Sequence, residues 1–402
     1  MRGMNRREFV RASLAGPLLA SVAPGRAAKL RVAVVGAGAF GGWTALSLRR
    51  AGADVTLVDA WGPGNARASS GGETRVIRGM YGDRAIYTRL AARALALWAE
   101  ADRAWRSRFY VRTGGLWMFG DDDAYARHAA SAMRDARLPL EALDPAEAAR
   151  RFPQISFAGV RSCYLETEAG YLLARRACEA VADALVSEGG AYRQSAVRTI
   201  EPGTRTIVRM TDGSTLSADR YVFACGPWLG RLFPDAIGDR ITPTRQEVFY
   251  FGTPPGDDRF LESKLPVWVE FRSRLMYGIP GNAHRGFKVA DDTRGEVFDP
   301  TTGDRGSSAA ALEVARKFLA ERFPALAKAP LLGSEVCQYE NSPDAHFIVD
   351  RHPAAPDVWI AGGGSGHGFK MGPAIGEIVA RAIVEDAAPD PQFRLARLSP
   401  IG

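Results

Sequence analysis

Apolar residues in this chain form short unbroken runs near both ends, with alternating and helical patterns between them. The first run, Leu30-Arg-Val-Ala-Val-Val35, has the composition of a strand buried on both faces. A glycine turn follows, Gly36-Ala-Gly38-Ala-Phe-Gly41, then a helical pattern from about residue 40 to 50. Gly52 interrupts it, and Asp54-Val-Thr-Leu-Val-Asp59 reads as a second strand ending on an acid. This is a βαβ opening. Residues 85–107 place Leu90, Ala94, Leu97, Trp98 and Trp105 at helical spacing, and residues 172–187 form another helix pattern stopped by Gly189-Gly190. Residues 221–226 read as a further buried strand.

The character then changes. Residues 246–251, 267–271, 275–279 and 286–290 are short strand-like runs separated by Gly and Pro, the pattern of an antiparallel sheet. Residues 307–323 form an amphipathic helix, and after Cys337 a strand over 358–361 and a helix over 373–385 restore the first character. The pattern predicts an α/β, two-domain chain (α+β in its overall arrangement). A discontinuous nucleotide-binding domain is expected over 29–110, 155–235 and 336–390. An antiparallel substrate-binding domain over 111–154 and 236–335 interrupts it.

Composition narrows the function classes. A chain of 402 residues, 46% hydrophobic, is long enough for a full core and more than one domain. Its net charge of +7 points at first to nucleic acid or membrane, but Arg2, Arg6, Arg7, Arg11 and Arg26 against Glu8 place +4 of it in the first 27 residues. The +3 that remains is spread without a basic–aromatic stripe, so no nucleic-acid partner is expected. The leader itself resembles an export signal. Asn5-Arg6-Arg7-Glu8-Phe9 matches the twin-arginine pattern, a mildly apolar stretch runs from Ala12 to Ala23, and Gly25-Arg26-Ala27 suits a signal peptidase. A basic tail without an address function is the alternative. The stretch is too short for a permanent membrane span. Export to the periplasm or beyond, in folded form, is the expectation. Cys163, Cys178, Cys225 and Cys337 match no zinc spacing, so no metal is expected, and buried free thiols are the default for the first three.

The glycine turn carries chemistry. Gly36 permits the tight turn, Gly38 lets the backbone approach a pyrophosphate, and Gly41 lets helix and strand pack closely. The phosphates then meet free N–H groups at a helix start. Asp59, 23 residues after Gly36, is placed to accept from ribose hydroxyls. Strand, turn, helix, strand and terminal acid in this order favour a dinucleotide over a bare glycine turn, without separating NAD from FAD. The C-terminal segment separates them. Cys337-Gln-Tyr-Glu-Asn-Ser-Pro-Asp-Ala-His-Phe-Ile-Val-Asp350 and the loop Gly362-Gly-Gly-Ser-Gly-His-Gly-Phe-Lys370 have no use in an NAD enzyme.

On these segments the chain resembles the monomeric sarcosine oxidase and N-methyltryptophan oxidase family, within the D-amino-acid-oxidase-like FAD-dependent oxidoreductases. The resemblance runs from about Arg31 to Glu385 and rests on residues 72–78, 221–228, 286–288, 337–350 and 362–370 in that order. It implies an FAD-binding Rossmann-like domain of the p-hydroxybenzoate-hydroxylase type with an antiparallel-sheet substrate domain, in a monomer. It further implies that Cys337 bonds to the flavin's 8-methyl group, the alternative being a buried structural thiol; a thiolate in an electropositive site would be needed. Arg78 and Lys370 match a pair that binds a substrate carboxylate, a guanidinium fork and an ammonium on one anion. Lys288 matches a lysine at the flavin face that promotes reaction with oxygen by stabilising developing negative charge. Arg75 matches an arginine against the flavin ring, Tyr277 a tyrosine near the substrate, and His367 a flavin contact that is not a general base. Thr74, Val197, Gly366 and Gly368 fall among the cofactor-contacting positions. For Arg78 and Lys288 the plain alternatives are a surface ion pair and an exposed strand lysine.

The implied activity is oxidation of a secondary amino acid, N-methyl or cyclic, to an imine, with oxygen reduced to hydrogen peroxide. The partners are then an amine bearing a carboxylate, and molecular oxygen. Two other readings remain: a dehydrogenase of the same fold that passes electrons to a quinone or protein, and a non-enzymatic flavin-binding protein. Two departures from the family pattern bear on the substrate. Gly71 and Asp292 stand where sarcosine oxidase has histidines, and Asp292 suits a larger or more cationic amine.

Overall fold

The fold is described from a computed structural model that covers residues 29–398; the leader over 1–27 lies outside the described residues. Two large sheets organise it. The first has six strands in the order Ile348–His352, Ala355–Gly362, Arg220–Phe223, Arg31–Val35, Asp54–Asp59 and Ala191–Gln194. Its pairings are parallel except at the Ile348–His352 edge. Val32, Val34, Val222 and Ile360 are buried, as strands covered on both faces require. Helices Ala39–Arg50 and Gly372–Val384 pack together on one face, and Trp43 meets Trp98 edge-on at 5.1 Å between ring centroids. A three-stranded sheet, Val197–Glu201, Ile207–Met210 and Thr215–Leu216, joins a second cluster with Tyr221 and Phe223.

The second sheet has eight strands in the order Leu331–Asn341, Thr242–Phe251, Phe287–Asp291, Leu275–Ile279, Val267–Phe271, Gly115–Phe119, Ser162–Glu166 and Leu140–Leu143. All its pairings are antiparallel except that between Val267–Phe271 and Gly115–Phe119. The helix Ala309–Arg322 covers one face, where Trp268, Phe287, Phe318 and Phe323 form an aromatic cluster. Alternation sends Val269, Phe271 and Tyr277 to the opposite face. A small sheet of Thr74–Ile77, Gly170–Leu173 and Tyr110–Arg112 lies beside both.

Three differences from the sequence pattern have physical reasons. Leu172 and Leu173 end the strand Gly170–Leu173, and the helix starts at Ala174, because tertiary pairing with Thr74–Ile77 holds both leucines extended. Gly115–Phe119 is buried at every position, so it shows no alternation to read. Cys337 lies within the second sheet, on the long strand Leu331–Asn341 paired to Thr242–Phe251. The strands Ser162–Glu166 and Leu331–Asn341 thus carry the second sheet past residues 154 and 335, where the pattern placed the nucleotide-binding domain.

The helix Ala309–Arg322 is fixed to its sheet by a buried ion pair. Arg322 donates from Nε and Nη2 to the two oxygens of Glu270, each at 2.6 Å, and from Nη1 to the Ser156 carbonyl. Both side chains are about 2–3% exposed. Removing Arg322 leaves the Glu270 charge buried with only the half-exposed Arg272 at 3.4 Å, a loss of the kind that costs about 3–5 kcal/mol when a buried charge is left unpaired. Arg322→Met is therefore expected to lower the urea midpoint strongly, and Arg322→Met with Glu270→Leu to recover part of the loss. Equal losses in single and double variants would show that the pair does not act as a unit.

Candidate active site

A cavity of about 380 Å³ lies between the two large sheets. The six-stranded sheet supplies one wall through its glycine turn. Gly36 has φ +106°, and a Cβ there would meet the Ala224 carbonyl oxygen at 2.3 Å. A Cβ on Gly41 would stand 1.8 Å from the Gly36 carbonyl oxygen. Both are therefore fixed by the protein's own packing. Gly38 is different: a Cβ would touch only Ser70, at 3.3 Å, and the rest of its surroundings is cavity. Asp59 accepts from the Ala37 N–H at 2.8 Å through one oxygen, and from Trp61 and Gly62 at 2.8 and 2.9 Å through the other. These bonds hold its carboxylate at the cavity edge beside Val197.

The C-terminal loop closes over this wall. Gly366 has φ +77°, and its Cα lies against the Tyr339 ring, where a Cβ would come within 2.6 Å. The imidazole of His367 faces the Ala345 carbonyl at 3.0 Å through Nε2, which must carry the proton since a carbonyl only accepts. Its Nδ1 is buried without a partner. Burial and the neighbouring Lys370 push its pKa well below the usual histidine value, so the ring is neutral. Glu340 lies in the same region. Burial pushes its carboxyl up to about 7 against hydrogen bonds from Gly364 and Gly363, and its Oε2 has no partner.

The second wall comes from the eight-stranded sheet and the Thr74–Ile77 strand. Arg75 donates to the Thr74 carbonyl at 2.9 Å, to the Ser69 carbonyl at 2.7 Å and to Cys337 Sγ at 3.2 Å. Its guanidinium lies over Gly72, where a Cβ would come within 2.5 Å of it. Just past that strand, Arg78 places its Cζ 4.2 Å from the Tyr81 ring centroid and 5.2 Å from that of Trp117. Lys370, 5% exposed, approaches Tyr81 from the other chain end, its Nζ 3.3 Å from the phenolic oxygen and 3.0 Å from the His367 carbonyl. Burial and Arg78 push the Lys370 pKa well down. An arginine and a lysine that line the cavity thus meet at Tyr81, beside a pocket walled by Trp117, Phe271 and Tyr277.

A family model described as FAD dependent oxidoreductase matches residues 31–382. The chain belongs to the FAD-dependent oxidoreductase family. It is 32% identical to the monomeric sarcosine oxidase of Streptomyces avermitilis over 358 residues, covering 87% of this chain and 92% of that one. It is 29% identical to the monomeric sarcosine oxidase of Bacillus sp. strain B-0618, covering 87% and 91%. Among solved structures, the L-proline dehydrogenase of P. horikoshii superimposes with a TM-score of 0.80 at 21% identity, over 92% of this chain and 97% of that one, and so shares its fold.

The residues present fit the FAD of an FAD-dependent oxidoreductase. Gly38 is open on its cavity side alone, Asp59 is held with acceptor capacity to spare, and two buried polar atoms, Glu340 Oε2 and His367 Nδ1, have no protein partner. Gly36, Gly38 and Asp59 would hold the nucleotide part, with Gly366, His367 and Gly368 across from them. Among the sequence-predicted residues, Gly36, Gly38, Asp59, Arg75, Arg78, Val197, Tyr277, Gly366, His367, Gly368 and Lys370 line the cavity. Cys337 lies beside it through Arg75. Thr74, Gly41 and Lys288 do not line it. Thr74 turns its carbonyl to Arg75 and to Lys288, whose Nζ donates at 3.0 Å.

Sequence reasoning missed four residues here. Tyr81 joins the two cations. Glu166 accepts from the Gly79 and Met80 N–H groups at 2.7 and 3.2 Å and from Trp117 Nε1 at 2.7 Å, which fixes the segment carrying Arg78. Glu340 and Tyr339 lie inside the segment Cys337–Asp350, where the sequence assigns neither a role. The departure at Gly71 has a local cause, since a Cβ would meet the Asn65 carbonyl oxygen at 1.9 Å.

Proposed function

We propose that this protein oxidises a secondary amino acid, N-methyl or cyclic, to the imine, reduces oxygen to hydrogen peroxide, and carries its FAD bonded to Cys337. The observation that carries the reading is the meeting of Arg78 and Lys370 at Tyr81, beside an aromatic pocket that adjoins Cys337. The likeness to two sarcosine oxidases supports it. FAD supplies the acceptor for the hydride equivalent that leaves the carbon beside nitrogen. The chain's residues do the rest. Arg78 and Lys370 bind the carboxylate, and Trp117, Phe271 and Tyr277 exclude water, which strengthens those charge-assisted bonds. Export of the loaded enzyme by the twin-arginine leader belongs to the same reading, and a covalently held cofactor survives that route.

Lys288 is 1% exposed, its Nζ 5.7 Å from the Tyr277 ring centroid. Burial, then Arg75, pulls its pKa down to about 7. Its positive charge would stabilise the anion formed when oxygen takes its first electron. The ammonium is present below pH 7 and lost as pH rises through it. Re-oxidation of the substrate-reduced enzyme by oxygen is therefore expected to slow above about pH 7. Lys288→Met should slow it about 100-fold and remove the pH dependence, with anaerobic reduction by substrate little changed. Stopped-flow absorbance and a peroxide assay under air check this. Turnover with a quinone and no peroxide would replace the oxidase reading by a dehydrogenase.

A further inference from the structure

Beside Arg78 and Lys370 the cavity lining also carries an acid, Asp292. Asp292 follows the strand Phe287–Asp291, and its backbone N–H is fixed by the Leu275 carbonyl at 2.8 Å. Its side chain lines the cavity, and its Oδ1 accepts from the Tyr339 hydroxyl at 2.5 Å. Tyr339 is held in turn against the backbone of Gly366, which leaves its ring little room to turn. Arg78 and Lys370 hydrogen-bond to neutral groups, the Met80 carbonyl, Tyr81 and the His367 carbonyl, and Asp292 is a counter-charge to both.

We infer that Asp292, oriented by Tyr339, binds the substrate's nitrogen and takes its proton before oxidation; this rests on the amino-acid reading above. An amino acid arrives largely as a zwitterion, its nitrogen carrying an extra proton. Loss of hydride from the adjacent carbon needs the nitrogen lone pair to form the C=N bond, and an ammonium has none free. Transfer of one N–H proton to the Asp292 carboxylate gives a neutral amine and a neutral carboxyl, with no change of net charge. Two cations for the carboxylate and one anion for the ammonium match the charges of the zwitterion.

The groups facing Asp292 favour this role. Tyr339 hydrogen-bonds it, Arg78 and Lys370 attract its charge, and Asp291 repels it. Tyr277 and Lys288 are the other titratable neighbours, and each is shifted by it. Burial raises its pKa, and Tyr339, Arg78 and Lys370 only partly restore it, which brings it nearer the amine's own. Tyr339 is a positioning residue; Asp292 is the one of the two that touches the substrate nitrogen.

Anaerobic bleaching of the holoenzyme by amino acids, followed against pH, tests the assignment. Wild type is expected to keep its rate well below the amine's pKa. Asp292→Asn should lose about tenfold per pH unit there, while binding an amine-free carboxylic acid of similar size as tightly as wild type does, by flavin spectral shift. Tyr339→Phe keeps the carboxylate but removes the bond that lowers its pKa, so its profile should move to higher pH. Superimposable profiles in both variants, or equal loss of the amine-free acid, would overturn the inference. If wild type itself is bleached by no amino acid, the function proposed above fails instead.

Discussion

Cys337→Ser is expected to give a protein whose flavin is released entirely by acid, leaving a band without fluorescence on a denaturing gel. Wild type should keep its fluorescence on the band. The geometry that leads to this is local. Arg75 donates to Sγ at 3.2 Å, and the carbonyls of Ser69 and Gln338 lie 3.7 and 3.8 Å from the sulfur. A cation beside a thiol, at the edge of the cofactor cavity, is an electropositive site of the kind that reactive cysteines occupy. A serine hydroxyl lacks the sulfur's nucleophilicity. Without the tether, occupancy depends on ordinary binding, because a linked group has a high effective concentration at its site. Turnover in Cys337→Ser should therefore fall about tenfold or more and recover in part with added FAD. Cys225 is the control. It also lines the cavity, but burial, Asp59 and Glu340 all raise its thiol pKa. Cys225→Ser should keep a fluorescent band. Retention of fluorescence in Cys337→Ser would place the attachment elsewhere or nowhere.

Lys370→Met should lower kcat/KM for an amino-acid substrate by about 10- to 100-fold. A charge-assisted bond is worth about 1.5–3 kcal/mol and each 1.4 kcal/mol is tenfold. The loss should vanish for an amine of the same shape without a carboxylate. Arg78→Met should behave alike. The double variant should lose less than the product of the single losses, since both cations serve one anion and share Tyr81. Equal losses for both substrate types would mean that Lys370 supports the loop rather than the carboxylate. That outcome is a real competitor, because the Lys370 carbonyl also receives Trp98 Nε1 at 2.9 Å.

Much of the cofactor wall was legible in the sequence because its residues are close in the chain. Gly36 to Asp59 is one βαβ unit, and its spacing fixes the geometry. The second wall was less legible for a physical reason. Arg78 and Tyr81 follow the strand Thr74–Ile77, Asp292 follows Phe287–Asp291, and Glu166 and Tyr339 lie on two further strands, so only the tertiary fold brings them together. The resemblance named Arg78 and Lys370 but not Tyr81 between them. It marked Asp292 as a departure, while the hydrogen bond from Tyr339 needs the register of two distant strands. Lys288 shows the opposite case. Alternation along Phe287–Asp291 turns it away from its neighbours, but burial beneath Thr74, outside the cavity lining, is visible only in three dimensions.

The cavity also has an order of manufacture. Its floor, from Val35 to Asp59, is among the first parts of the described chain to leave the ribosome. Its roof, Tyr339 and Glu340 with Gly364 to Lys370, is among the last. More than 300 residues separate Gly36 from Gly364. Between them lie all eight strands of the second sheet, whose outer strand Leu331–Asn341 carries Cys337. A nascent chain can therefore present phosphate-binding N–H groups early, yet it has nothing to clasp a ring system until Gly364 to Lys370 have been made. Cofactor capture in this architecture waits for its latest-made wall.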